Sequence, residues 1–222
     1  IVISRDIRVL FLKLSARIHN LQTLSCLPKD VQEALANEAC EIFAPVANRL
    51  GLYEFKVSIE DLCFEQLQPK IFNKLKDEIT EIKKEQKSSW KKAEKEIIKT
   101  LEKANIKVVK VIGRQKHYYS VYKKMKRKNF TSCSEVYDLF GLRVLVPETE
   151  DCYRALGALH ARWNPMPNRF KDYISVAKPN GYQSLHTTLL GLANTKFPTE
   201  IQIRTPKMDS DAERGPASHW AY

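Results

Sequence analysis

Residues 169–205 read RFKDYISVAKPNGYQSLHTTLLGLANTKFPTEIQIRT, and the fold turns on the last seven of them. From Thr199 to Thr205 polar and apolar residues alternate strictly, which is the period of a β-strand. Glu200, Gln202 and Arg204 then share one face, and Ile201 and Ile203 point the other way into a core. A carboxylate, an amide and a guanidinium in a row are costly to bury unpaired. Lining a cleft, they offer a metal ligand, a hydrogen-bond reader and an anion clamp. A half-exposed edge strand with a polar outer face is the other reading of this pattern. Upstream, Pro179-Asn180-Gly181 makes a turn that presents Tyr182 at an exposed position, where its ring could stack on a base or pack at an edge. His186 could contact phosphate or be a satisfied strand histidine.

Outward from this stretch, the chain divides by period. From Asp6 to Leu24, Val9, Leu10, Leu14, Ile18 and Leu21 recur at helical spacing. A second helix is expected over 30–50, with Val31, Leu35, Ala39, Ile42, Phe43 and Val46 inward, a kink at Pro45 and a stop at Gly51. A third covers 56–67. From Ile71 to Lys103 runs a lysine- and glutamate-rich helical stretch with sparse apolar positions and a possible break at Ser88-Ser89; its charged face reads as solvated surface. After Asn105 the period changes. Ile106–Ile112 is β-branched and reads as a strand, Gly113-Arg114 as a turn, and 117–127 as a helix. Strands are expected over 139–146, 185–191 and 199–205, a helix over 151–163, and a short helix in the last residues. The expected division is a helical segment over 1–67, a connecting helical segment over 68–105, and an α/β portion over 106–222.

The 222 residues carry a formal net charge of +11, with a pI near 9.4, so polyanionic partners are called for. No apolar run approaches membrane-spanning length, and Ile1–Lys13 has no signal-peptide pattern. Beginning without methionine, the chain reads as a fragment. Five cysteines, an odd number with no CxxC spacing, suit a reducing, cytoplasmic compartment and no structural zinc.

Two carboxylates stand out: Asp138 at a strand entry and Glu200. On neighbouring strands they could hold one Mg2+, which takes one or two carboxylates and completes its shell with water and phosphate oxygens. A strand-entry cap and a solvated edge acid remain the alternative. Arg114, Lys116, Lys124, Arg143, Arg169, Lys171, Lys178 and Arg204 supply the positive charge that phosphoryl transfer needs. Neither a Walker glycine loop nor GxGxxG is present, so side chains would hold any nucleotide.

The segments GRQKHYYSVYKKM (113–125), EVYDLFGLRVLV (135–146), RFKDYISVAKPNGYQSLHTT (169–188), EIQIRT (200–205) and AERGPASHW (212–220) together resemble the RelA/SpoT family of guanosine tetraphosphate and pentaphosphate synthetases and hydrolases. Upstream, KLSARIHNLQTL and EIFAPVANRLG are similar to the last helices of the family's hydrolase domain. The resemblance implies an α+β fold: an all-helical remnant of an HD-type hydrolase domain, then a nucleotidyltransferase-like mixed sheet with flanking helices. It implies transfer of pyrophosphate from ATP to the 3′-hydroxyl of GDP or GTP, with release of AMP, in the stringent response. Asp138 and Glu200 match the magnesium-binding acids, with Glu200 also placed to deprotonate the hydroxyl. Tyr182 matches the guanine-stacking tyrosine. Arg114, Lys116, Ser120 and Lys124 match the ATP-contacting motif, with Gly113 in its strand-to-helix turn; Lys171, Lys178, Asn180, His186, Gln202 and Arg204 match the other polar positions, and Arg143 belongs to the same substrate-binding set.

Departures refine this expectation. The family's active hydrolases carry a metal-binding aspartate where this chain has Ala16, and a methyl group ligates nothing. Hydrolysis is therefore expected to be absent. The full-length parent is expected to be ribosome-associated or self-regulated through regions outside this sequence, with no membrane partner. The rival function is a catalytically silent nucleotide- or RNA-binding module using the basic stretch from Lys83 to Lys128.

Overall fold

The computed structural model describes residues 7–195 and 198–214. Four helices open the chain: α1 (Ile7–Gln22), α2 (Lys29–Glu38), α3 (Ala44–Arg49) and α4 (Tyr53–Leu67). Their core is built on Leu14, Leu24, Ala39, Ala47, Ile59 and Cys63. Instead of a kink at Pro45, a π-turn over Ala39–Phe43 joins α2 to α3. The extra residue shifts the helical phase just ahead of a proline that cannot donate. Ala44 and Ala47 turn inward as a result, while Ile42 lies on the outside, against expectation. Val9 and Val31, also on the expected apolar faces, are exposed. Gly51, at φ 70°, ends the run as expected.

α5 (Pro69–Lys103) is one uninterrupted helix of 35 residues, without the break anticipated at Ser88-Ser89. Trp90 and Ala93, just beyond the serines, pack against the rest of the chain and hold the helix through them: the Trp90 ring lies edge-on to Phe140, centroids 4.8 Å apart. The first half of α5 shares a core with α4, through Phe64, Phe72, Leu75 and Ile79, and its second half lies on the sheet through Ala93, Ile97 and Leu101.

The sheet has β1 (Lys110–Gln115), β2 (Phe140–Leu145), β3 (Lys171–Asp172), β4 (Leu185–Leu189) and β5 (Thr199–Arg204), ordered β1-β2-β5-β4-β3. β2 and β5 are parallel and the other pairs antiparallel. The flanking helices are α6 (Tyr118–Lys128), α7 (Thr149–Arg162) and α8 (Pro206–Arg214). β5 is therefore central, which removes the edge-strand reading. β1 begins later than expected, and Gly113 and Arg114 lie inside it, paired with Leu142 and Gly141, so Gly113 occupies no turn. Nothing at Gly113 demands glycine: an added Cβ would lie 3.6 Å from the Trp90 ring, in ordinary contact.

Register sorts the two faces of the sheet. Val111, Leu142, Val144, Leu185, Leu189, Ile201 and Ile203 face α5 and α7, and burial of each large aliphatic side chain contributes about 2 kcal/mol. The opposite face gathers the polar residues. Arg114 pairs with Gly141 and Gly141 with Glu200; Arg143 pairs with Gln202, Gln202 with His186, and His186 with Lys171. Cα partners project to the same side, so one surface carries all of them. Residues 215–222, which include most of the AERGPASHW segment, lie outside the described residues.

Candidate functional site

Glu200 is the centre of the polar face. Gln202 Nε2 donates to its Oε2 at 3.2 Å, and Arg204 Nη2 donates to Gln202 Oε1 at 3.2 Å, so the amide bridges guanidinium and carboxylate along one strand. Arg114 Nη1 reaches Glu200 Oε2 across β2 at 3.5 Å. It passes over Gly141, where an added Cβ would lie 2.7 Å from the Glu200 carbonyl oxygen. On the β4 side His186 Nδ1 stands 3.4 Å from Glu200 Oε1, and Tyr182 Oη stands 2.7 Å from His186 Nε2. Burial lowers the His186 pKa, so the ring is neutral at pH 7. A neutral ring accepting the tyrosine hydroxyl at Nε2 keeps its own proton on Nδ1, directed at Glu200. Burial pushes the Glu200 carboxyl up, but its bond to His186 and the nearby Arg114 charge outweigh this and leave it below the ordinary value.

Asp138 precedes β2 and meets two ammonium groups. Lys116 Nζ donates to its Oδ2 at 3.0 Å, and Lys124 Nζ to its Oδ1 at 2.6 Å. Burial raises the carboxyl and the two lysines lower it further, to about 2. Both acids open onto one cleft of 90 Å³, which Arg169, Lys171, His186 and Thr188 also line. Among the described residues no three His, Cys, Asp or Glu side chains form a metal cage. Two ionised carboxylates on one cleft with cations around it nevertheless suit an ion that shares its shell with phosphate oxygens.

Tyr182 is half-buried, not exposed as the turn suggested. Lys178 Nζ lies 4.8 Å and Arg204 Cζ 5.5 Å from its ring centroid, and Tyr173 meets it edge-on at 6.0 Å. The preceding turn is closed by Asn180 Oδ1, which accepts the Tyr182 N–H at 3.3 Å, with Gly181 at φ 77°. Arg204 is 1% exposed, and its Nη1 has no hydrogen-bond partner among the described residues.

Not every expected residue joins this cluster. Arg143 is drawn under α8, with Nη1 2.9 Å from Asp209 and Nη2 2.6 Å from Glu213. Ser120 Oγ lies 2.5 Å from His117 Nε2, on the side of α6 that faces α4. Several neighbours escaped the sequence. Tyr53, at the start of α4, accepts from Arg114 Nη2 at 3.4 Å, and with Gly51 and Asn48 it walls a small cleft shared with Tyr182 and Asn180. Asp61 and Glu60 on α4 surround His117. The available signal was an acidic pair beside Ile59, Cys63 and Phe64 in an otherwise apolar helix face.

These features define an α+β protein with a short helical portion ahead of a mixed sheet, one face of which gathers paired acids, a neutral histidine and a surplus of cations. Residues 113–222 match the family described as a region found in RelA / SpoT proteins, and residues 1–53 match an HD domain. The GTP pyrophosphokinase of Streptomyces coelicolor is 46% identical over 224 residues, covering 100% of this chain and 26% of that protein. The bifunctional (p)ppGpp synthase/hydrolase SpoT of Escherichia coli K12 is 42% identical over 220 residues, covering 98% of this chain and 30% of that one. The chain thus spans less than a third of the length of these relatives. A solved structure, small alarmone synthetase 2 from Bacillus subtilis, aligns at 28% identity with a TM-score of 0.45, covering 60% of this chain and 73% of that one. The chain belongs to the RelA/SpoT family. No helix among the described residues is long and apolar enough to cross a membrane.

Proposed function

We propose that this chain transfers pyrophosphate from ATP to the 3′-hydroxyl of GDP or GTP, releasing AMP and making the guanosine alarmone of the stringent response. The observation that carries this reading is the shared cleft of Asp138 and Glu200, two ionised carboxylates ringed by Arg169 and Lys171, with Arg114, Lys116 and Lys124 bonded to the acids. In the reaction the 3′-oxygen attacks the β-phosphorus of ATP, the bond from that phosphorus to the bridging α–β oxygen breaks, and AMP leaves with the electron pair. Glu200 receives the hydroxyl proton. His186, donating from Nδ1, holds the Glu200 carboxylate in place. Arg114, Lys116 and Lys124 would hold ATP, with Ser120 behind them, bonded to His117. Lys171, Lys178, Asn180, His186, Gln202 and Arg204 would serve the acceptor, with Tyr182 stacking on guanine and Arg143 fixing α8 beside the pocket.

Asp138 and Glu200 would hold Mg2+. The bound ion would offset the phosphate charge that the cations alone leave. Lys116 and Lys124, both bonded to Asp138, are the ammonium groups that would turn to phosphate if that carboxylate held an ion instead. Hydrolysis of the product is not proposed for this chain, because Ala16 stands in α1 where a metal-binding aspartate would be needed.

The test is an AMP-release assay with ATP, Mg2+ and GDP or GTP, run on the native chain and on Asp138→Asn and Glu200→Gln. Release of AMP with a 3′-pyrophosphorylated guanosine nucleotide, reduced at least about 100-fold in both variants, is the expected result. Folded protein that binds guanosine nucleotide and yields no product under any condition would favour the silent binding module.

A further inference from the structure

The first turn of α6 lacks a cap of its own. His117 occupies the N-cap position and its side chain bonds none of the helix's free N–H groups. The acceptor comes from α4, more than fifty residues earlier. Asp61 Oδ1 accepts the Tyr119 N–H at 2.8 Å, and Oδ2 accepts the Tyr118 N–H at 3.3 Å. The same carboxylate holds His117, whose Nδ1 lies 3.1 Å from Oδ1, and His117 Nε2 in turn meets Ser120 Oγ at 2.5 Å. Next to Asp61, Glu60 bonds Lys56 at 2.6 Å and Lys123 of α6 at 3.1 Å. The other end of α6 is closed by Asn129 in the left-handed conformation, at φ 54°.

α6 and the residues leading into it carry Lys116, Ser120 and Lys124. Lys116 and Lys124 converge on Asp138, so their placement follows the position of the helix. An N-terminal turn left without an acceptor would leave part-buried N–H groups unpaired and would fray first. That turn is where Ser120 sits, and Lys116 lies just ahead of it.

We infer that Asp61 is a positioning residue for the ATP half of the site: by capping α6 from α4 and fixing His117, which in turn meets Ser120, it sets Lys116 and Lys124 for the triphosphate. The inference rests on the pyrophosphotransfer reading for what the site holds. Asp61 thereby takes part in the chemistry of the sheet domain without touching substrate. Tyr182, Lys178 and Asn180 belong to the loop before β4, which is tied by its own bonds: the Lys178 N–H donates to the Tyr182 carbonyl and the Tyr182 N–H to Asn180 Oδ1.

The experiment compares the native chain with Asp61→Ala and Asp61→Asn by equilibrium ATP binding and by steady-state kinetics in each substrate. Asparagine keeps one carbonyl oxygen for the Tyr119 N–H; alanine keeps none. Asp61→Ala is expected to weaken ATP binding and raise KM for ATP about tenfold, the scale of a lost cap. KM for the guanosine nucleotide should stay within about twofold, and Asp61→Asn should recover most of the ATP affinity. A general loss of folded protein would instead lower kcat with both KM values unchanged, and that result would overturn the inference. So would ATP affinity unaltered in folded Asp61→Ala, or equally poor in Asp61→Asn. If the native chain binds ATP but releases no AMP, the pyrophosphotransfer reading fails while the binding series still decides the role of Asp61.

Discussion

Lys124 Nζ stands 2.6 Å from Oδ1 of Asp138 while Lys116 Nζ stands 3.0 Å from Oδ2 of the same carboxylate. The acid is thus bound at both oxygens, and its pKa falls to about 2. A carboxyl depressed below its unfolded value of about 4 contributes stability that is fully present above that value. The contribution is lost as pH falls through the folded value. The native chain should lose ~2 kcal/mol of unfolding free energy between pH of about 4 and about 2 from this group. Urea melts across that range should show a shallower acid limb in Asp138→Asn; an identical limb would contradict the assignment.

Tyr182 contributes a ring and a hydroxyl that can be separated. Tyr182→Phe keeps the ring and loses the 2.7 Å contact with His186, so KM for the guanosine nucleotide should change by no more than about threefold. Tyr182→Ala removes the stacking surface, and KM should rise by about 10- to 100-fold. Kinetics with saturating ATP measure both, and equal effects from the two substitutions would remove the stacking role.

Gly141 and Gly113 face each other's strands, yet they should differ sharply. A Cβ on Gly141 meets the Glu200 carbonyl oxygen at 2.7 Å, so Gly141→Ala must push β2 from β5. It should cost about 1–3 kcal/mol and displace Glu200, lowering turnover as well. Gly113→Ala meets only the Trp90 ring at ordinary distance and should stay within about 1 kcal/mol of the native chain. Thermal melts of the pair give the comparison directly.

Phe64 of α4 stacks on Tyr122 of α6 at 4.7 Å and lies edge-on to Phe72 of α5 at 5.6 Å. Phe64→Ala should cost about 3–5 kcal/mol, read as a lower midpoint in denaturant. A loss under about 1 kcal/mol would mean that the contacts between α4 and α6 are not held by this cluster.

The alternation in Thr199–Thr205 was enough to place Glu200, Gln202 and Arg204 on one face, because strand period is a property of the local sequence. Neighbouring strands were harder to read. Ile106–Val108 has the composition of a strand and lies outside the assigned pairing, Val109 adding only its N–H to the Leu145 carbonyl at 2.8 Å, whereas Gly113, Arg114 and Gln115 lie within it through pairing with Phe140–Leu142. Tertiary hydrogen bonds overrode local propensity there. The helix through Ser88-Ser89 was likewise decided by Trp90 and Ala93 packing. Relations across the fold left the weakest trace. Neither the Asp61 cap on α6 nor the Tyr53 contact with Arg114 has any local pattern, since each joins residues more than fifty positions apart. Arg143 reads as one more cation, and only its two acidic partners on α8 show it acting as a tether.

The unbroken α5 has a thermodynamic consequence. At 1.5 Å per residue its 35 residues form a rod of about 50 Å. Its first half is built into the aromatic cluster with Phe64, and its second half into the underside of the sheet. Neither half can melt without exposing apolar surface that the other end helps to order. The helical portion and the sheet should therefore unfold in a single cooperative transition, and no cut within the rod would release either as an independent folding unit.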